Sequence, residues 1–363
     1  MMDRQSVMAL VEELAPLPYA ASWDNSGLQV GDPGGEVTGV LVALNPSRAA
    51  VQQAIARGHN LLVTHHPLLF KATKQLRTDR DPARTAALLL AHDVTAYAAH
   101  TNLDATASNH RLADLMGWRL DRVLEPGGSE PWFKIHVFVP AEKREEVARA
   151  MWEAGAGLPG GSDLASLSLQ SEGTFRVRGG TGMLPRLQAV SGARLEVVAR
   201  QRQVDDVVAA MRRVHPYEMV SYEVVRLENS SDPWGLGLYG PLAQPTPIAE
   251  IAARIHRALS PRSLRLVGDA GRVVSSVAIC SGAGSELAHL AADRGVELFV
   301  TGEIRYHTAL EVRDRGLAVL EVGHQASEEP VVDVLVGHLA RRLPASVPIE
   351  AFHENEPFEV ILP

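Results

Sequence analysis

Two histidines, His65 and His66, stand side by side between the apolar run Leu61-Leu-Val63 and a proline, Pro67. Proline cannot continue a strand, and it pushes His66 toward an extended or turn conformation. Both imidazoles therefore fall where a strand gives way to a loop, which is where open α/β sheets bind ligands. The same reading collects Asp104, His324 and Glu328 at other strand ends and loops. Histidine and carboxylate together are standard donors for Zn, Mn or Fe. His324 and Glu328 are four positions apart, so a helix starting near Gln325 turns them the same way. These five protein donors exceed what one open catalytic ion takes from protein. Two divalent ions, roughly 3.5–4 Å apart and bridged by a carboxylate and a water, would use them all.

The elements that must position these residues alternate between strand and helix. Residues 4–14 repeat apolar side chains at helical spacing, and Pro16 and Pro18 end that helix. The segment Ser22-Trp-Asp-Asn-Ser-Gly-Leu-Gln-Val-Gly31 is polar and turn-rich; Asp24 and Asn25 read either as pocket-lining residues or as an Asx turn before Gly27. Val40–Leu44 reads as a strand, Ser47 as the cap of a helix through Arg57, and Gly58 as its stop. Strand Leu61–Thr64 follows, then a polar loop, helix Arg84–Ala91 and strand Val94–Ala98. His100-Thr-Asn-Leu-Asp104 lies at that strand's end, and Ser108 begins a helix through Met116. Toward the C-terminus the expected elements are helix Pro245–Leu259, strand Leu264–Val267, helix Glu328–Arg342, and strands Ile349–Phe352 and Phe358–Ile361.

Residues 277–301 lie on residues 40–64 without a gap: Val277 meets Val40, Arg294-Gly295 meets Arg57-Gly58, and Val300-Thr301 meets Val63-Thr64. Each copy then runs helix, strand and a loop with His-x3-carboxylate, His100/Asp104 in the first and His324/Glu328 in the second. The span from strand end to that histidine is 36 residues in the first copy and 23 in the second. This reads as an internal repeat of one α/β unit. Between the copies, turn-rich Pro126-Gly-Gly-Ser-Glu-Pro131 and Asn229-Ser-Ser-Asp-Pro233 bracket something different. Strands at Phe133–Val139, Leu195–Val198 and Met219–Val225, helices at Glu142–Ala154 and Gln203–Val214, and a glycine-rich loop over 155–162 make a small α+β insert. Its His215-Pro-Tyr-Glu218 reads as a helix stop or a ligand site. The expected fold is therefore α/β: two pseudo-repeated halves, 1–125 plus 235–363, form one metal-binding domain interrupted by an insert over 130–232.

Composition bounds the function. The chain has 363 residues, long for one domain and comfortable for two. It is 46% hydrophobic and 21% charged, in the range of globular proteins, and no apolar run reaches membrane-spanning length. A net charge of -8 argues against electrostatic binding to nucleic acid or an anionic membrane. Its one cysteine, Cys280, sits in an apolar strand and reads as an inert core thiol. With no secretory pattern at the N-terminus, the expected compartment is the cytoplasm.

Thr64-His-His-Pro67, His100-Thr-Asn-Leu-Asp104, Thr301-Gly-Glu-Ile-Arg-Tyr-His307, Gly323-His-Gln-Ala-Ser-Glu328 and the Ser22–Gly31 segment together resemble the signature of the GTP cyclohydrolase 1 type 2 homologues, the Nif-three-like family. The insert resembles the extra ferredoxin-like domain of the longer members, related to signalling trimers. The resemblance implies a dinuclear site with His66, Asp104 and Glu328 on one ion, His65 and His324 on the other, and Glu328 shared. It also implies a hexameric toroid with the metal sites facing its interior. Asn45 and Glu303 stand where members often carry Asp, and neither is a ligand. His100 falls outside the family's ligand pattern and reads as a residue orienting Asp104. His307 reads either as an acid or base facing the metals or as a structural histidine.

The expected function is a hydrolase with two divalent ions, zinc first and Mn or Fe as alternatives. The ions would lower the pKa of a bridging water for attack on carbon or phosphorus, with Glu303 or His307 shuttling protons. The partner is a small-molecule substrate, a nucleotide if the family name is a guide. The chain lacks a GxxxxGKS/T phosphate loop, and Gly155-Ala-Gly-Leu-Pro-Gly-Gly161 lacks its lysine. The contrasting class is a non-enzymatic metal-binding scaffold or sensor. Turnover abolished by chelation separates the two.

Overall fold

The computed structural model describes residues 2–157, 166–175 and 188–361. It is a mixed α/β protein with two sheets. The chain divides into two compact units, Met1–Gly128 with Trp234–Pro363, and Ser129–Pro233. Among the described residues no helix is long and apolar enough to cross a membrane.

In the first unit one sheet has the order Gly27–Val30, Thr95–Ala98, Leu61–Thr64, Val40–Ala43, Ile349–Phe352. Leu61–Thr64 runs parallel to both its neighbours, and every residue of these short strands is buried. Such continuous apolar runs are what a parallel sheet covered on both faces requires. Helix Arg48–Arg57 connects the second strand to the third. Ser47 accepts a hydrogen bond from the Ala50 N–H at its start, and Gly58 leaves it in the left-handed region at φ 73°. The other strands of this unit run Tyr222–Pro247, Val273–Ala283, Leu298–Glu303, Ala318–Glu321, Arg265–Val267, parallel among the middle three. Val277 faces Leu298 and Ala278 faces Phe299, as Val40 faces Leu61 and Leu41 faces Leu62.

The two halves of this unit cover each other's sheets. Val331, Val332, Leu335 and Leu339 of helix Pro330–Ala340 pack with Val40, Val42, Leu61 and Val63 of the N-terminal half. Reciprocally, Leu112 and Met116 pack with Val277, Ile279, Leu298 and Val300. Each fully buried Val or Leu contributes about 1.5–3 kcal/mol, so these clusters hold the strand ends on which the site is built.

In the second unit Leu167–Phe175 pairs with Gln188–Arg200, which pairs with Arg122–Pro140, both antiparallel. Helices Arg144–Glu153 and Val204–Val214 bury Val147, Met151, Val207 and Met211 against Ile135, Val137, Leu195 and Val197. His215 ends the second helix as a structural residue. Its Nε2–H donates to the Phe138 carbonyl at 2.9 Å, and its Nδ1 accepts from the Tyr217 N–H at 3.1 Å. Of the glycine-rich stretch, residues 158–162 lie outside the described residues.

Several elements differ from expectation. The helix expected from Ser108 begins at Thr101 and passes through a π-helical turn over Asp104–Ser108 before continuing to Leu115. The wider turn is held by Thr106 Oγ1 and Asn109 Nδ2, which donate to the carbonyls of Asn102 and Asp104. The helix expected from Pro245 starts at Ile248, because the strand continues to Pro247. The long final helix is two pieces, His324–Glu328 and Pro330–Ala340. Phe358–Ile361 forms no strand: its apolar side chains are exposed. Gly27–Val30 and Leu167–Phe175 are two further strands.

Candidate metal centre

Strand Leu61–Thr64 ends at the paired histidines, and their backbone prolongs the ladder: the N–H groups of His65 and His66 donate to the carbonyls of Ala43 and Leu44. Strand Thr95–Ala98 delivers His100, and the π-helical turn that follows aims Asp104 inward. Strand Ala318–Glu321 delivers His324 through Gly323, whose φ of 93° is one that glycine accepts readily. One helical turn later comes Glu328. These strand ends converge on one cluster. Glu328 Oε1 lies 3.7 Å from His65 Nε2, while Oε2 lies 3.1 Å from His66 Nε2 and 2.9 Å from His324 Nε2. Asp104 Oδ1 lies 3.7 Å from His65 Nε2, and the Nε2 atoms of His66 and His324 are 3.4 Å apart. The five expected donors are thus brought together. The nearest contacts set His65 at one oxygen of Glu328 and His66 and His324 at the other. Gly282 makes room for this carboxylate, since a Cβ there would stand 2.0 Å from Glu328 Oε1.

The surroundings fix the rings. His65 Nδ1 lies 2.9 Å from the Ala99 carbonyl, His66 Nδ1 2.8 Å from Asn45 Oδ1, and His324 Nδ1 3.2 Å from Glu303 Oε1. None of these oxygens carries a hydrogen, so each Nδ1 is the donor and each Nε2 is turned to the cluster. Asn45 keeps its contact to His66 while donating through Nδ2 to Glu354 at 2.9 Å. Glu303, a residue expected to shuttle protons, lies against the His324 ring. The other, His307, is exposed and does not line the cavity. Sequence reasoning missed the place of Asp24. Its side chain is fully buried, with Oδ1 2.7 Å from His100 Nδ1. Oδ2 accepts from Ser26 Oγ, Thr101 N and Thr101 Oγ1. His100 is therefore oriented by Asp24.

Burial opposes charge throughout, and neighbours decide the outcome. Burial would depress the His65 pKa, but Asp104 and Glu328 outweigh it and raise it to about 9. At His324 burial is overcome by Glu328 and Glu303, again giving about 9. Burial keeps His66 below the ordinary imidazole value despite Glu328, with cationic His65 adding to the effect. Burial raises the Asp104 carboxyl, and Glu328 adds to that. Glu328 is held well below the carboxylate range because His324, His65 and His66 outweigh its burial. Asp24 is held low as well: hydrogen bonds from His100 and Thr101 overcome its burial.

The cluster fits a metal. His65 Nε2 is buried without a hydrogen bond, and an unsatisfied buried polar atom of this kind calls for a ligand or ion. His66, His324 and Glu328 offer donor atoms within 4.8 Å of one another, as do His65, His66 and His100. His66, His100, Asp104, His324 and Glu328 floor a cavity of about 520 Å³ walled by Leu236, Cys280 and Leu287. Trp23 and Phe70 stand at its rim edge-on to His100, with ring centroids 6.4 and 6.0 Å away. Among the described residues lining it are Glu125 and Glu286 but no Lys or Arg.

Residues 2–357 match the family described as Duf34/NIF3 (NGG1p interacting factor 3). The chain is 33% identical over 330 residues to a Bacillus subtilis protein named GTP cyclohydrolase 1 type 2 homolog, covering 89% of this chain and 88% of that protein. It is 34% identical over 355 residues to a Mycobacterium tuberculosis protein of the same name, covering 94% and 93%. Among solved structures, a Bacillus cereus protein related to NIF3 superposes with a TM-score of 0.84 at 31% identity, covering 99% of both chains. Sequence, fold and the histidine motifs agree: this chain belongs to the Duf34/NIF3 family.

Proposed function

We propose that this protein is a hydrolase working with two divalent metal ions held by His65, His66, Asp104, His324 and Glu328. The observation that carries this is the convergence of the His65, His66 and His324 Nε2 atoms on the buried Glu328 carboxylate, with His65 Nε2 left without a hydrogen bond, beside a substrate-sized cavity. The mixed nitrogen and oxygen donor set suits zinc, with Mn or Fe as alternatives. Bound ions of this kind make water a nucleophile near neutral pH and offset charge developing on the attacked group. The protein's own residues do the positioning: Ala99, Asn45 and Glu303 fix the rings, and Trp23 and Phe70 present aryl edges to a planar substrate at the cavity mouth. Glu303 and His307 carry no proton-transfer role in this reading, the first because it anchors His324, the second because it lies outside the cavity. The relatives' name points to GTP. In this chain a triphosphate would meet Glu125 and the Glu286–Arg305 ion pair with, among the described residues, no lining Lys or Arg, so a planar substrate without a polyphosphate arm fits better.

The wider reading follows the same lines. The matched pairing of Val40 with Leu61 and Val277 with Leu298 supports a duplicated α/β unit. The strand and helix order of the second unit is that of a ferredoxin-like insert. A homohexamer rests on family likeness, and a cytoplasmic location on one buried thiol. The test is a panel of amides, phosphoesters and purine derivatives, with guanosine beside GTP, given to metal-loaded protein. Turnover should vanish with chelator, return with metal, and be no better for GTP than for guanosine. Tight binding of a panel member without any turnover would replace this reading with a sensor or scaffold.

A further inference from the structure

The histidine outside the family's donor pattern is held as firmly as those inside it. Asp24 lies in the polar segment before strand Gly27–Val30, and its fully buried carboxylate faces His100 Nδ1 at 2.7 Å. The other oxygen accepts from Ser26 Oγ at 2.8 Å, Thr101 N at 3.1 Å and Thr101 Oγ1 at 2.6 Å. A carboxylate accepting these bonds has no proton to give, so His100 Nδ1 carries the hydrogen and Nε2 is the nitrogen left to meet a ligand. A ring nitrogen of His100 lies within 4.8 Å of donor nitrogens of both His65 and His66. The Nδ1 atoms of those two rings are committed to Ala99 and Asn45. The nitrogens left to share a ligand are therefore the Nε2 atoms. His100 also precedes Asp104 by the interval that separates His324 from Glu328. Among the described residues Asp24 is the hydrogen-bond partner of this ring, and the ring lines the cavity.

We infer that His100 is a further nitrogen donor of the metal centre, to the ion held by His65, and that Asp24 is its positioning residue. The inference rests on the metal-binding reading above. An ionised Asp on Nδ1 both fixes the ring and raises the basicity of Nε2, which is how carboxylates commonly support metal-bound histidines.

The test titrates full-length, metal-stripped protein with Co(II) and follows the visible ligand-field spectrum and the affinity of each ion. Wild type is compared with His100→Ala, His100→Gln and Asp24→Asn, each checked for native circular dichroism. The expected result is that both His100 variants change the spectrum and weaken one ion by about 100-fold, while the second ion keeps its affinity. Asp24→Asn should weaken the same ion by about tenfold, within the range of about 10–100-fold for an outer partner of a ligand. Added imidazole should restore the spectrum of His100→Ala. If Ala fails to fold, Gln and Asp24→Asn decide the question. Wild-type spectra and affinities in the folded variants would overturn the inference and leave the five-donor site standing. A wild type that binds no Co(II) would instead bring down the metal-binding reading, and this one with it.

Discussion

Glu328 is the residue on which both ions should depend, and its removal gives the sharpest test of the centre. Its oxygens lie 3.7 Å from His65 Nε2 and 3.1 and 2.9 Å from the Nε2 atoms of His66 and His324. Any cation held by those nitrogens is within a few ångströms of this carboxylate. Opposite unit charges at about 4 Å attract by about 4 kcal/mol at an effective dielectric of about 20. A factor of ten corresponds to about 1.4 kcal/mol, so Glu328→Ala, counting only one unit of each ion's double charge, should cost each ion at least about 10³ in affinity. His65→Ala is the contrast. It removes a donor facing Oε1 and Asp104 but leaves His66, His324 and Oε2 untouched. The assay is metal content per chain by mass spectrometry, after dialysis against a buffered free-metal concentration that saturates wild type. Wild type should carry two ions, His65→Ala about one, and Glu328→Ala essentially none. Circular dichroism should be unchanged in all three, because the apolar clusters that hold the strands contain none of these residues. Two ions retained in Glu328→Ala, or one in metal-replete wild type, would refute the shared-carboxylate argument.

Metal loading should also release protons. His65 and His324, with pKa values of about 9, are protonated at pH 7 in the metal-free protein, so filling the centre should expel about two protons per chain. Calorimetry in buffers of different ionisation enthalpy measures this, and the release should fade as pH rises through about 9. Because both pKa values are raised above 6.5, the stability they lend the metal-free fold is complete below that pH. It should be lost as pH climbs through about 9, visible as a falling melting temperature in chelator. Asn45→Asp should not be harmless. Asn45 Nδ2 donates to Glu354 at 2.9 Å, and a carboxylate there would repel Glu354. We expect metal affinity about tenfold weaker at neutral pH, regained in Asn45→Asp combined with Glu354→Gln. Replacing residues 130–232 by a short Gly/Ser linker should leave a folded protein that still binds metal. Metal-free or aggregated product would contradict the insert's independence.

The parts of this protein legible from sequence are those written in neighbouring residues. Leu61–Thr64 announces a buried parallel strand because all its positions are apolar or small, and Pro67 marks where it must stop. Ser47 and Gly58 bracket their helix because capping depends on a single side chain at each end. The candidate donors are visible because His65-His66, His100/Asp104 and His324/Glu328 are short-range patterns at strand ends. Phe358–Ile361 misled because an apolar run says nothing about whether a neighbouring strand exists to pair with it. The residues that support the donors leave no such local trace. Asp24 reaches His100 across 76 positions, and Asn45 reaches His66 across 21. Asp24 sits in a segment whose turn chemistry explains its residue types equally well. A donor histidine is recognisable by its own type, but its supporting acceptor can be a carbonyl, an amide or a carboxylate, and Ala99, Asn45, Asp24 and Glu303 supply all three. Only the folded chain shows that these unlike groups do one job, holding each Nδ1 so that Nε2 is free. That common task, rather than any motif, is what places His100 among the donors.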